Sequence, residues 1–299
     1  MPAGLGQKAE IFVIAGYYQP CGFLLYLADM YVEKIATLIK ETLTISSAYL
    51  NRIVVIDCFL PKDVQKPEQM SLLLINDGQN MEELGLASML DELIGSGEIE
   101  NVLCVGIHAG VERKMEYGTA AREDYKGRGG KAGDYTSFVF EELLPLIRTT
   151  YQVPSFKEKS FAGFSLGGLS ALDIVWNHPS EFSKVGVFSG SFWWRTRSLE
   201  DGYNEDTDRI MHAQIRAGGY YPWLKFYFET GVLDEAMDRN NNGIIDSIDD
   251  TVSLIDELVA KGYSRTKDIL YTELSDGKHD IATWARAMPE FLKWGWGKK

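Results

Sequence analysis

Residues 159–172, Lys-Ser-Phe-Ala-Gly-Phe-Ser-Leu-Gly-Gly-Leu-Ser-Ala-Leu, leave the chain few ways to fold. Apolar residues climb to Gly163, a serine stands between glycines at 163 and 167, and small and apolar residues continue at helical spacing. The pattern predicts a strand, a sharp turn and a helix. In such a turn only minimal flanking side chains avoid collision, so Ser165 is expected in a strained backbone conformation with its hydroxyl raised above a sheet end. The Leu166 amide would open the helix, where an N–H and the helix dipole both favour negative charge.

The rest of the chain alternates in the same way. Strands are expected at 42–47 and 52–60, joined by a turn near Asn51, and then at 71–76, 102–108, 185–189, 224–229 and 269–274. Helices are expected over 81–94, over 135–151 with a break at Pro145, and over 251–261 and 281–294. Between 108 and 133 runs a polar loop with several glycines, long enough to carry function. Repeated alternation predicts an α/β fold with a mostly parallel central sheet and helices on both faces. A chain of 299 residues, 45% hydrophobic, can bury the core of one such domain. It is assigned to 40–299, with 1–39 as an N-terminal extension.

Within that extension, residues 11–27 are nearly uncharged but contain Pro20 and two glycines and are marginal in length for a membrane span. They also lack the basic start and clean cleavage site of an export signal. A cytoplasmic location without a transmembrane anchor is expected, with export left open. Cys21, Cys58 and Cys104 are an odd set without close pairing, and read as free thiols. The net charge of −13 argues against a nucleic-acid partner, because phosphate binding needs a basic surface.

A serine hydroxyl needs a base to take its proton, and the base needs an acid to fix its tautomer. The four histidines are at 108, 178, 212 and 279. His178 follows the elbow helix in Asn-His-Pro and suits a cap, His212 sits inside a helical pattern, and His108 precedes the serine. His279, in Asp-Gly-Lys-His-Asp between the last strand and the last helix, stands where the chain order serine, acid, histidine puts the base. The acid should follow the strand at 224–229, where Asp234 leads over Glu235 and Glu229 because a short side chain just beyond Gly231 can reach an imidazole. The second oxyanion amide is assigned to Gln79 in Asp-Gly-Gln, beside that of Leu166.

Asp-Gly-Gln at 77–79, Gly-Phe-Ser-Leu-Gly-Gly at 163–168, Phe-Ser-Gly-Ser at 188–191 and Gly-Lys-His-Asp at 277–280 resemble the "Putative esterase" family. That family includes enterochelin esterase, feruloyl esterases, S-formylglutathione hydrolase and the mycolyltransferases. The resemblance covers residue 40 to the C-terminus and implies the α/β-hydrolase fold, a triad of Ser165, Asp234 and His279, and oxyanion donors Gln79 and Leu166. Arg113, with Glu116 and Tyr117, also resembles a substrate-side segment of the enterochelin-esterase branch, a solvated ion pair being the equal alternative. Trp193 and Trp194 follow a strand end near the expected mouth, where an aromatic face suits an aryl or sugar moiety and buried packing is equally open.

Directly after the acid, Asp238, Asn240, Asn242, the Ile244 carbonyl, Asp246 and Asp249 fall on positions one, three, five, seven, nine and twelve of the EF-hand calcium template, with Gly243 at six. Aspartate at twelve and the short segment before the loop depart from that template. A structural Ca2+ clamping the loop is the expectation, an Asn-Gly turn the plain alternative; the chemistry itself requires no cofactor. The function expected is a serine-dependent carboxylic-ester hydrolase acting on a small-molecule ester, an acylated carbohydrate or an aryl ester. The alternatives are an acyltransferase, a siderophore esterase using the same triad, and a non-catalytic binding module. The oligomeric state is not legible.

Overall fold

The computed structural model describes residues 31–34, 37–62, 64 and 66–298. The apolar segment 11–27 and Cys21 lie outside the described residues. Nine strands form one sheet in the order β1-β2-β3-β5-β4-β6-β7-β8-β9. They are β1 (Tyr31–Lys34), β2 (Leu38–Ser47), β3 (Arg52–Pro61), β4 (Ser71–Asn76), β5 (Val102–Ile107), β6 (Lys159–Phe164), β7 (Lys184–Phe188), β8 (Lys225–Leu233) and β9 (Ile269–Lys278). The first three pair antiparallel, and β3 meets β5 antiparallel. From β5 through β4 to β9 every pairing is parallel. The sheet thus takes in residues on both sides of position 40, since β2 begins at Leu38 and β1 pairs with it.

The described helices are α1 (Leu86–Gly95), α2 (Arg113–Glu116), α3 (Ala132–Ser137), α4 (Leu144–Tyr151), α5 (Leu166–Asn177), α6 (Glu205–Asp208), α7 (Ile210–Ala217), α8 (Asp246–Lys261) and α9 (Ile281–Trp296). One face of the sheet packs on α3, α4, α5, α7 and α8 through residues such as Phe138, Leu172, Ile215 and Leu254. The other packs on α1 and α9 through Leu86, Leu90, Met288 and Phe291. Covered on both faces, β4 and β5 are buried at every position, which is why both read as unbroken apolar runs.

Three differences from the sequence expectation have physical causes. The first helix begins at Leu86, not at 81, because Gly85 takes a left-handed φ of 72° and keeps 81–85 in turns. Pro145 sits in the first turn of α4, where its missing N–H costs nothing, and a π-helical stretch, Phe138–Leu143, joins α3 to it. Helix α8 begins at Asp246 rather than 251, with Asp246 and Asp249 against the positive end of its dipole. Cys58 and Cys104 are buried free thiols, and burial pushes Cys58 up to about 12. Among the described residues no helix is long and apolar enough to cross a membrane.

Candidate active site

Parallel strands end on one edge of the sheet, and the residues singled out by sequence stand there. Asp77 follows β4, His108 follows β5, Ser165 follows β6, Ser189 follows β7, Asp234 follows β8 and His279 follows β9. Ser165 has φ 55° and ψ −121°, a conformation an L-residue holds only under constraint. Its N–H donates to the Phe188 carbonyl at 2.8 Å, and its own carbonyl accepts from the Ser191 N–H at 3.2 Å. A Cβ on Gly163 would lie 2.3 Å from the Gly167 carbonyl oxygen, so only glycine lets the turn close. The Leu166 amide lies in the first turn of α5, which has no intrahelical acceptor for it. Against the Ser165 hydroxyl lies Ser191 Oγ, 3.3 Å away.

The loop after β4 is braced from below. Asp77 is nearly buried in a left-handed conformation, and Arg113 Nε and Nη2 donate to its two carboxylate oxygens at 2.6 and 2.7 Å. Arg113 is therefore the cationic half of a bidentate ion pair under the loop, with its guanidinium 5.1 Å from the Tyr117 ring. Asn76 Nδ2 donates to the Gly167 carbonyl at 2.7 Å, tying this loop to the elbow. Gly78 leaves no room for a Cβ, which would stand 2.4 Å from the Gly106 carbonyl carbon. The Gln79 side chain is engaged on both sides, Nε2 donating to Asp77 and Oε1 accepting from the Ala109 N–H. Its backbone amide sits in the short 3-10 turn Gly78–Asn80, whose opening N–H groups lack partners within the turn.

Opposite, β8 and β9 run several residues past their expected ends, pairing Thr230 with Glu273 and, after a register shift, Leu233 with Lys278. That extension delivers Asp234 and His279 directly from adjacent strand ends. Gly231 makes the approach feasible: a Cβ there would meet the Gly277 carbonyl carbon at 2.4 Å and Asp234 Oδ1 at 2.7 Å. Burial pushes the Asp234 carboxyl up, against the pull of the Ser189 hydroxyl, the Gly231 backbone and the His279 charge. Neither of its oxygens makes a well-aligned hydrogen bond. Burial, with a smaller push from Arg113, holds His279 below the ordinary imidazole range, opposed by Asp234 and Asp280.

Two features here escaped the sequence reading, and a third, Glu229, was weighed there only as a lesser choice for the acid. Trp284 lies within the helix expected over 281–294 and was not singled out, yet it stacks on Phe164 at 5.0 Å, meets His279 edge-on at 5.3 Å and donates from Nε1 to Ser189 Oγ at 2.9 Å. Ser191 appeared only inside a motif. Glu229, the third choice for the acid, is fully buried with both carboxyl oxygens unpartnered, and burial plus the nearby Asp234 charge push it up to about 8. Glu235, the second choice, is also raised, by burial and then by Asp246.

The other histidines are engaged elsewhere. His108 Nε2 is 2.9 Å from Asp57 Oδ2. His178 caps α5 against Phe140. His212 is buried, with Nε2 at 3.0 Å from the Asp250 carbonyl. Trp194 is fully buried, whereas Trp193 is half-buried, and the Arg128 guanidinium lies 4.9 Å from the Trp193 ring and 5.3 Å from the Trp194 ring. Trp193 lines a groove of about 250 Å³ together with Tyr125, Lys126, Arg128, Arg195, Glu235, Met237 and Asp246.

The 238–249 loop folds around its own polar side chains. Asn240 and Asn242 each donate from Nδ2 to Asp249 Oδ2, at 2.9 and 2.8 Å, and Asp238 accepts from the Asn242 and Gly243 amides. Asp246 instead turns to Arg239, whose N–H it accepts at 2.8 Å. Among the described residues no three His, Cys, Asp or Glu side chains gather closely enough to hold a metal ion, so amide and backbone oxygens would have to supply part of any coordination shell.

A family model described as "Putative esterase" matches residues 47–294. The iron(III) enterobactin esterase of Dickeya dadantii is 25% identical over 236 residues, covering 77% of this chain and 48% of that protein. The chain spans about half the length of the curated relatives it matches. Among solved structures, the enterobactin esterase FES from Shigella flexneri in the presence of enterobactin superposes with a TM-score of 0.65 at 20% identity, over 85% of this chain and 57% of that one. The siderophore hydrolase EstB from Aspergillus nidulans does so with a TM-score of 0.62 at 17% identity, over 90% of this chain and 99% of that one. At those identities the likeness is one of fold, and that fold is the expected α/β-hydrolase architecture.

Proposed function

Because the chain belongs to the "Putative esterase" family, we propose that it hydrolyses carboxylic esters with Ser165 as nucleophile, His279 as general base and Asp234 as the group that orients it. In acylation His279 takes the Ser165 proton as Oγ attacks the acyl carbon, and the Leu166 and Gln79 amides hold the resulting oxyanion. The imidazolium returns the proton to the leaving alcohol as the ester C–O bond breaks. Water then attacks the acyl-serine, again through His279, releasing the acid and the free serine. The observation that carries this reading is the backbone of Ser165, φ 55° at the junction of β6 and α5, a strained conformation that sets a hydroxyl-bearing residue at a helix N-terminus. Ser165→Ala should lower kcat for short p-nitrophenyl esters by 10⁴-fold or more with Tm unchanged; retained turnover would reject the assignment.

For the substrate, the siderophore alternative now leads over the acylated carbohydrate and simple aryl ester. Relatives and structural neighbours carry enterobactin and siderophore esterase names, and the groove beside Trp193 sets Lys126, Arg128 and Arg195 against Glu235 and Asp246. Lys126 and Arg195 there, beside Tyr125 and Trp193, suit an anionic aromatic acyl group, Arg128 being paired with Asp124. Arg113, committed to Asp77, would act on substrate only through the loop it braces. A panel of catecholate siderophore, feruloyl and acetyl-sugar esters tests this: the catecholate should have the highest kcat/KM, and preference for the sugar ester would overturn it. Product analysis with an added alcohol acceptor separates hydrolysis from acyl transfer.

We also propose that the 238–249 loop takes up a structural Ca2+ through Asp238, Asn240, Asn242, the Ile244 carbonyl, Asp246 and Asp249. The gathering of Asn240 and Asn242 on Asp249, and the start of α8 at template position nine, support that reading. The ion would clamp the segment between Asp234 and α8.

A further inference from the structure

We infer that Ser191 is a further catalytic residue, whose hydroxyl touches the nucleophile and directs the Ser165 proton toward His279. The inference rests on the reading of Ser165 as nucleophile. Among the described residues Ser191 Oγ, at 3.3 Å, is the hydrogen-bond partner of the Ser165 hydroxyl. Its position is fixed by the turn that leaves β7. The Ser191 N–H donates to the Ser165 carbonyl at 3.2 Å, and the Trp194 N–H donates to the Ser191 carbonyl at 3.2 Å. A Cβ on the preceding Gly190 would stand 2.6 Å from Val187 Cγ1 and 2.7 Å from the Phe192 ring. Ser191 itself is only 3% exposed, so solvent cannot readily replace it. The turn that grips the backbone of Ser165 therefore also grips its side chain.

The chemistry follows from the donor count of a hydroxyl, one hydrogen and two lone pairs. Were Ser165 to donate to Ser191, its proton would point away from the base. With Ser191 as donor, a Ser165 lone pair is engaged and the Ser165 hydrogen is left for the imidazole. This bond then strengthens as Oγ gains negative charge on losing its proton, so it favours the attacking state over the resting one.

The test is the second-order rate at which a fluorophosphonate labels Ser165, read with kcat, KM and Tm in Ser191→Ala, Ser191→Cys and Ser191→Thr. Losing the hydroxyl in Ser191→Ala should slow labelling and kcat by about tenfold, with KM within about twofold. Ser191→Cys, which keeps the volume with a weak donor, should be slowed similarly at unchanged Tm, and Ser191→Thr, which keeps the hydroxyl, should recover most of the rate. The inference is overturned if Ser191→Ala and Ser191→Cys react at the parent rate, or if rate falls only in step with Tm and threonine gives no rescue. Absence of Ser165 labelling in the parent chain would instead remove the reading of Ser165 as nucleophile.

Discussion

Around Ser165 the constraints are backbone contacts between neighbouring turns, whereas around Asp234 and His279 they are buried titratable groups set close to one another. The elbow is closed by Gly163 packing on Gly167, and its amide and carbonyl are both bonded to the β7 exit. On the other side Glu229, Asp234 and Glu235 are all pushed up by burial, and unpartnered carboxyl oxygens run through the three. The first arrangement fixes a geometry and is indifferent to pH; the second stores electrostatic cost that a base opposite can relieve. The elbow side is the scaffold and the β8–β9 side the titrating half.

If that division is right, the largest effect after loss of Ser165 itself comes from the acid. Asp234→Asn should lower kcat by about 10³- to 10⁴-fold, because a neutral amide no longer favours the imidazolium, while Glu235→Gln stays within about tenfold. Equal losses in the two would remove the preference for Asp234 as the acid. Next comes pH. Since burial holds His279 below the usual 6.5, the acid limb of kcat/KM should have its midpoint below that value and fall about tenfold per pH unit beneath it. A midpoint above 6.5 would mean that Asp234 dominates over burial.

Glu229 sharpens the comparison through stability. Its folded pKa, about 8, lies above the ordinary carboxyl value of 4.5, so its contribution is fully present below pH 4.5 and is lost as pH rises through 8. Glu229→Gln should therefore raise Tm relative to the parent by a few degrees at pH 8.5 and by little at pH 5. A pH-independent difference would show that the group is not held protonated. The smallest effect expected is that of Ca2+ on chelator-treated protein: a rise in Tm of a few degrees, lost in Asp238→Ala. No rise, with no heat on calorimetric titration, removes the ion from the account.

The same contrast decides what was legible in the sequence. Strands β4, β5 and β6 announce themselves because both faces are buried, and the elbow because its glycines and serine are contiguous. The ends of β8 and β9 do not, since residues 230–233 and 275–278 are mixed in polarity and extend the sheet only by pairing with each other. His279 was reachable by chain order. The Asp77–Arg113 pair, 36 residues apart, and the contact of Ser191 with Ser165, 26 apart, are tertiary facts without a local pattern.

The central claim is that one hydroxyl, on the elbow after β6, is made nucleophilic by the imidazole that follows β9. Its most direct test is peptide mass mapping of the intact chain after brief exposure to a fluorophosphonate, run beside His279→Ala. The account predicts a single adduct on Ser165 that forms at least about a hundredfold more slowly without His279. An adduct on another residue, or labelling of Ser165 at the same rate in both proteins, would contradict it.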